Sequence, residues 1–248
     1  MGTWITVGDE VEAYRAEPEG SRVRGGMVLI HEIWGLIPHI QDVADRFAAA
    51  GYLTIAPDLL SHIGVDRALG LELFADYTSS DDAVRSAAQP RMRAMTAPAQ
   101  APEYARWATD QLRSCIDLLA AEPTVGDRIA AVGFCFGGSY AFAIAAADAR
   151  VRVTVPFYGV APDDIEAITG RVLAIYGEPD ERVASTGDAT QRRLTAAGVD
   201  ATTQVYSGVD HAFFNDTNTH TYDAAAASDA WQRTVAFLHE HLTPTTER

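Results

Sequence analysis

Gly133-Phe134-Cys135-Phe136-Gly137-Gly138 sets a cysteine between spaced glycines. It follows the apolar, strand-like run Arg128-Ile129-Ala130-Ala131-Val132 and leads into an alanine-rich helical pattern from Gly138 to Ala147. Strand and helix can meet at so tight a turn only where the residues flanking the central one are nearly without side chains. The stretch therefore reads as a nucleophile elbow, with the sulfur over the helix N-terminus. A thiolate there faces unpaired N–H groups and the positive end of the helix dipole, which stabilise the anion. The same six residues also read as a small buried thiol in a turn, so the choice rests on what surrounds them.

Outward from this junction, apolar runs alternate with longer helical patterns. Met27–Ile30, Tyr52–Ile55, Val151–Val155, Val172–Tyr176 and Thr202–Tyr206 read as strands. Helices are predicted near Ile40–Ala50, Glu103–Ala121, Asp188–Ala197 and Ala224–His241, with Gly51 at a helix C-terminus. Trp4–Val7 opens a possible N-terminal hairpin. Alternation of this kind predicts an α/β fold: a mostly parallel central sheet with helices on both faces. One domain is expected over 1–248. The segment from Ser61 to Pro102, rich in Ala, Ser, Asp and Arg and holding Pro90 and Pro98, reads as helical excursion, lid or linker.

A formal net charge of −15 and a pI near 4.7 exclude a basic nucleic-acid or anionic-membrane surface. The two cysteines, Cys115 and Cys135, form neither a C-x-x-C pair nor part of a Cys/His cluster, so neither disulfide nor metal site is expected. Cys115 sits in a helical pattern and reads as core. Met1–Gly20 has no secretory pattern, and no stretch suits a bilayer span; a cytoplasmic location is the default expectation. Met1-Gly2 as a lipid-attachment site and Asn215-Asp216-Thr217 as a glycan acceptor are formal matches that the reading sets aside.

Catalytic groups of such sheets lie beyond the carboxyl ends of the strands. Asp180 follows the Val172–Tyr176 run, and His211 follows Thr202–Tyr206. Singly, each also reads as a turn residue or a satisfied histidine. Together with Cys135 they give the chain order nucleophile, acid, histidine, which is that of α/β-hydrolases. Glu32, after Met27–Ile30, is a carboxylate among apolar neighbours, where burial requires a polar partner; a thiol would serve, as would a backbone N–H or an arginine.

The combination of His31-Glu32-Ile33-Trp34-Gly35-Leu36, Pro38-His39-Ile40, Ala56-Pro57-Asp58-Leu59, the Gly133–Gly138 elbow, Tyr176-Gly177 with Asp180, and His211-Ala212-Phe213 resembles the dienelactone hydrolase family of α/β-hydrolases. The resemblance runs from about Met27 to the C-terminal helix. It implies Cys135 as nucleophile, His211 as general base and acid, Asp180 as its orienting carboxylate and Glu32 as the group that activates the thiol. The backbone amides of Phe136 and Ile33 would hold the oxyanion. Trp34 is a candidate pocket residue; Tyr158, after the Val151–Val155 run, reads either as a pocket residue or as core, and Arg85, Arg91 and Arg93 each read either as a clamp for a substrate carboxylate or as a solvated helix-face charge. Dienelactone-cleaving members carry an arginine shortly after the histidine; here the segment reads Ala212-Phe213-Phe214-Asn215-Asp216-Thr217, and Asp216 would repel a carboxylate if it faced the pocket.

The expectation is thus a cysteine-dependent hydrolase of small lactones or carboxylic esters working through an acyl-thioester. It would need no cofactor or metal, act on a small-molecule substrate, and be a monomer or small homo-oligomer. The alternative is a hydrolase-fold ligand-binding or redox-sensing protein that uses Cys135 without turnover.

Overall fold

The computed structural model describes residues 2–20, 23–178 and 181–242, with backbone alone for 181–187. The N-terminal strands β1 (Thr3–Val7) and β2 (Val11–Ala16) form the expected hairpin. The parallel strands follow: β3 (Gly25–Ile30), β4 (Tyr52–Pro57), β5 (Ile129–Phe134), β6 (Val151–Phe157), β7 (Arg171–Gly177) and β8 (Ala201–Tyr206). They join one eight-stranded sheet in the order β1-β2-β4-β3-β5-β6-β7-β8, antiparallel at β1/β2 and β2/β4 and parallel elsewhere. Every residue of β3, β4 and β5 is buried. That is why these runs lack the polar alternation of a half-exposed strand.

The helices are α1 (Pro38–Ala49), α2 (Arg67–Tyr77), α3 (Asp82–Thr96), α4 (Pro102–Ala121), α5 (Phe136–Ala147), α6 (Glu181–Ala196) and α7 (Ala224–His241). Proline at the start of α1 and α4 leaves no helical hydrogen bond unmade. Gly51, at φ 101°, closes α1 as its sequence position predicts. Cys115 of α4 is fully buried in the core. Among the described residues no helix is long and apolar enough to cross a membrane.

The segment that the sequence left undecided is helical. α2 and α3 are capped by Asp66 and Asp81, whose side chains accept from the Leu69 and Ala83 amides. They pack on each other, and Arg91 of α3 reaches Glu72 and Asp76 of α2 at 2.8 and 3.2 Å. Pro90 lies inside α3 at an exposed position, where water can satisfy the freed carbonyl.

Strand order fixes where chemistry can occur. The chain runs from β3 to β4 on one side and returns to β5 on the other, so the sheet switches direction between β3 and β5, where a crevice opens. In that pair Ile30 lies opposite Gly133. Glu32 and Cys135, each two residues further on, leave the sheet side by side.

Candidate active site

The elbow is held by close backbone contacts that exclude side chains. A Cβ on Gly133 would lie 2.0 Å from the Gly137 carbonyl oxygen, and one on Gly137 would lie 2.2 Å from that of Ile30. Cys135 takes φ 55° and ψ −112°, backbone strain that costs on the order of 1–3 kcal/mol and persists only where neighbours enforce it. Its amide donates to Phe157 O at 3.0 Å, and its carbonyl accepts from the Ser139 amide. Cys135 stands at the N-cap of α5 with no side-chain cap, so the first amides of the helix, Phe136 among them, have no intrahelical partner.

Glu32 is 1% exposed. Its Oε2 accepts a 2.7 Å hydrogen bond from Asn215 Nδ2. Asn215 is itself buried, and its Oδ1 accepts from Thr217 N at 3.1 Å and Thr217 Oγ1 at 2.6 Å. Those two donors fix which end of the amide faces Glu32. Desolvation pushes the Glu32 carboxyl up to about 7, opposed by the Asn215 hydrogen bond and by His211. The sequence reading offered a thiol, a backbone N–H or an arginine as the partner of Glu32; the partner is a neutral side-chain amide.

His31 secures the same loop. Its Nδ1 lies 2.7 Å from Glu32 O and its Nε2 accepts from the Leu59 amide at 3.0 Å, which places the proton on Nδ1. Burial lowers its pKa to about 4, so the ring is neutral at physiological pH. It stacks on Phe136, with centroids 5.7 Å apart and planes within 5°, so the residue before Glu32 packs against the first residue of α5. Gly35 N donates back to Glu32 O at 3.1 Å.

His211 reaches the site because β7 ends in glycine. A Cβ on Gly177 would stand 2.2 Å from Val209 O, so the loop after β8 crosses directly over the end of β7. Ala212, at φ 62°, then turns the chain inward to bury Phe213 and Phe214. Tyr158, at φ 40° after β6, lies under the imidazole with centroids 4.8 Å apart. Its hydroxyl is buried without a hydrogen-bond partner among the described residues. Burial first, then the charges of Glu32 and Cys135, raises its pKa well above the phenol range.

Cys135, His211 and Glu32 line one cavity of about 420 Å³. Ile33 and Trp34 form the wall after β3, and Tyr77 of α2 and Met92 of α3 extend the lining beside them. Gly70 allows this approach, since a Cβ there would lie 2.0 Å from Trp34 O. Trp34 packs on Phe74 and Tyr77, with centroids 5.6 and 4.9 Å away.

The remaining sequence candidates fall differently. Asp180 lies outside the described residues. Tyr158 supports His211 from beneath and is not among the residues lining the cavity. Arg85 borders an adjoining hollow and is engaged by Asp82 and Ser79 O. Arg91 ties α3 to α2, and Arg93 is exposed away from the cavity. Asp216 points to His39 at 3.3 Å and Arg46 at 3.9 Å instead of into the pocket. Asn215 and His31 were missed as positioning groups. The available signal was their place: His31 immediately precedes Glu32, and Asn215 occupies the stretch where the family resemblance leads one to look for an arginine. Among the described residues no cluster of His, Cys, Asp or Glu could hold a metal.

Comparison with known proteins places the fold and the family. A protein of Aquifex pyrophilus called protein usf is 30% identical over 92% of this chain and 97% of its own length. A Saccharolobus solfataricus protein provisionally named carboxymethylenebutenolidase is 29% identical over 93% of this chain and 94% of its own. A Klebsiella pneumoniae crystal structure, provisionally described as a dienelactone hydrolase, superposes with a TM-score of 0.77 at 24% identity, covering 97% of this chain and 99% of that one. That likeness carries the α/β-hydrolase fold. The family model for dienelactone hydrolases spans residues 11–242, taking in both strands of the switch point and the loops that carry Glu32, Cys135 and His211, and the chain belongs to the dienelactone hydrolase family.

Proposed function

We propose that this protein is a cysteine-dependent hydrolase of small carboxylic esters or lactones. The observation that carries the reading is that Cys135, on a strained elbow at a helix N-terminus, opens onto the same cavity as His211 and the buried Glu32. A free thiol is largely protonated at neutral pH and needs a base. Glu32, held by an uncharged amide and shifted to about 7, is matched to that task. Its carboxylate takes the thiol proton, and the thiolate attacks the ester carbonyl.

The oxyanion is held by the amides of Phe136 and Ile33, neither of which is bonded to a backbone carbonyl of the described loops and caps. Loss of one such donor in other hydrolases costs about 3–4 kcal/mol. Collapse of the tetrahedral adduct breaks the C–O bond and forms an acyl-thioester on Cys135, and the alkoxide takes the proton that Glu32 accepted, departing as the alcohol from an ester or staying as a hydroxyl on the acyl chain of an opened lactone. His211, oriented by Asp180, then deprotonates a water that attacks the thioester, releasing the acid and regenerating the thiol.

The test is hydrolysis of p-nitrophenyl esters and lactones by the wild-type, Cys135→Ala and His211→Ala proteins, with intact-mass analysis during turnover of a slow ester. The expected result is loss of turnover in both variants and an acyl adduct on Cys135. Equal rates in all three proteins would refute the reading and leave the sensing alternative.

A further inference from the structure

The carboxyl groups of Glu32 and Asp210 line the cavity beside the imidazole of His211, and the rest of its described lining, from Ile33, Trp34, Tyr77 and Met92 to Asn218 and Thr221, holds no arginine. The chain contains no lysine, so any cation for a substrate carboxylate would be an arginine. Three on the surrounding elements have partners of their own. Arg91 pairs with Glu72 and Asp76, Arg46 lies by Asp42 and Asp216 and over the rings of Phe214 and Trp231, and Arg85 is held by Asp82 beside the neighbouring hollow. Where a guanidinium could have stood against Glu32, the neutral amide of Asn215 donates instead, its orientation locked by Thr217.

Resting on the hydrolase reading, we infer that this site takes uncharged esters or lactones and discriminates against substrates that carry a free carboxylate. A carboxylate entering the cavity would be stripped of water beside two acidic side chains without an arginine among the described lining residues, an arrangement that works as an electrostatic filter. The net charge of −15 acts in the same direction at long range. Neutral substrates instead lay their acyl chain on Ile33, Trp34 and Met92, with Asn218 and Thr221 available to a polar leaving group.

The experiment compares a matched pair, 4-nitrophenyl methyl glutarate and mono-4-nitrophenyl glutarate, which differ only in whether the far carboxyl is esterified. The neutral diester should show a kcat/KM higher by about tenfold or more at low ionic strength, and the gap should narrow as salt screens the field. Met92→Arg, or Thr221→Arg should the first not fold, should narrow the gap further by supplying a cation to the cavity. Equal rates, or faster hydrolysis of the anionic monoester by the wild-type protein, would overturn the inference while leaving the hydrolase reading intact. Hydrolysis of neither compound, with no adduct on Cys135, would remove the hydrolase reading and this inference with it.

Discussion

Replacing Glu32 by glutamine should make the protein more stable at alkaline pH and inactive. The substitution keeps the side-chain volume and an oxygen to accept from Asn215 Nδ2, while removing the titrating proton. Burial raises this carboxyl from its ordinary 4.5 to about 7, so between those values the unfolded chain releases a proton that the native protein retains. Below pH 4.5 both states are protonated and the group costs nothing; as pH rises through the window, the native state is progressively disfavoured. Linkage puts the cost at about 1 kcal/mol at about pH 5.5 and about 3 kcal/mol at about pH 8.5. Urea unfolding of both proteins at these two pH values, the lower chosen clear of the pI near 4.7, should therefore show an advantage of Glu32→Gln that grows by about 2 kcal/mol on going to the higher pH. Esterase activity should fall in the same preparation. An advantage that is the same at both pH values would refute the claim that an ionisable carboxylate is held at a cost to the fold.

Alkylation of the native protein should add one label, on Cys135, because Cys115 is fully buried and its thiol is pushed up to about 12; a native Cys115 that reacts as quickly as Cys135 would contradict the packing. Gly137→Ala should lower stability by about 3 kcal/mol or more, or prevent folding, since its Cβ would meet Ile30 O at 2.2 Å; an unchanged melting temperature would show that the elbow is looser than described. Asn215→Leu removes the donor to Glu32, a charge-assisted hydrogen bond worth about 1.5–3 kcal/mol, so the rise of kcat/KM with pH should shift upward by about one pH unit or more. A uniform loss of rate with an unmoved pH profile would assign Asn215 a packing role only.

The alternating strands and helices were legible because parallel strands buried on both faces are uninterrupted apolar runs, as in Met27–Ile30 and Val172–Tyr176. The elbow was legible because close backbone contact admits only glycine at 133 and 137. The 61–102 segment was not, because it buries so little. α3 hides only Ala88 and Thr96 and contains a proline, while α2 hides Gly70, Leu73 and Phe74, too few positions for a clear periodic signal. The arginines of that region could not be assigned from sequence, since a clamp and a helix-to-helix brace use the same side chain. Asn215 was invisible for a related reason. Its role depends on a contact across 183 positions of chain, whereas the local pattern advertised only a turn and a formal glycan acceptor that burial rules out.

The stretch of cavity lining formed by Tyr77 and Met92 belongs to two helices inserted between β4 and α4, which rest chiefly on one another and reach the loop after β3 through Trp34. Substitutions there can reshape the space offered to an acyl chain without shifting the strand register that sets Glu32 beside Cys135. Selectivity and reactivity are thereby housed in separately mutable parts, and directed evolution toward a new ester should begin with the inserted pair and leave the sheet alone.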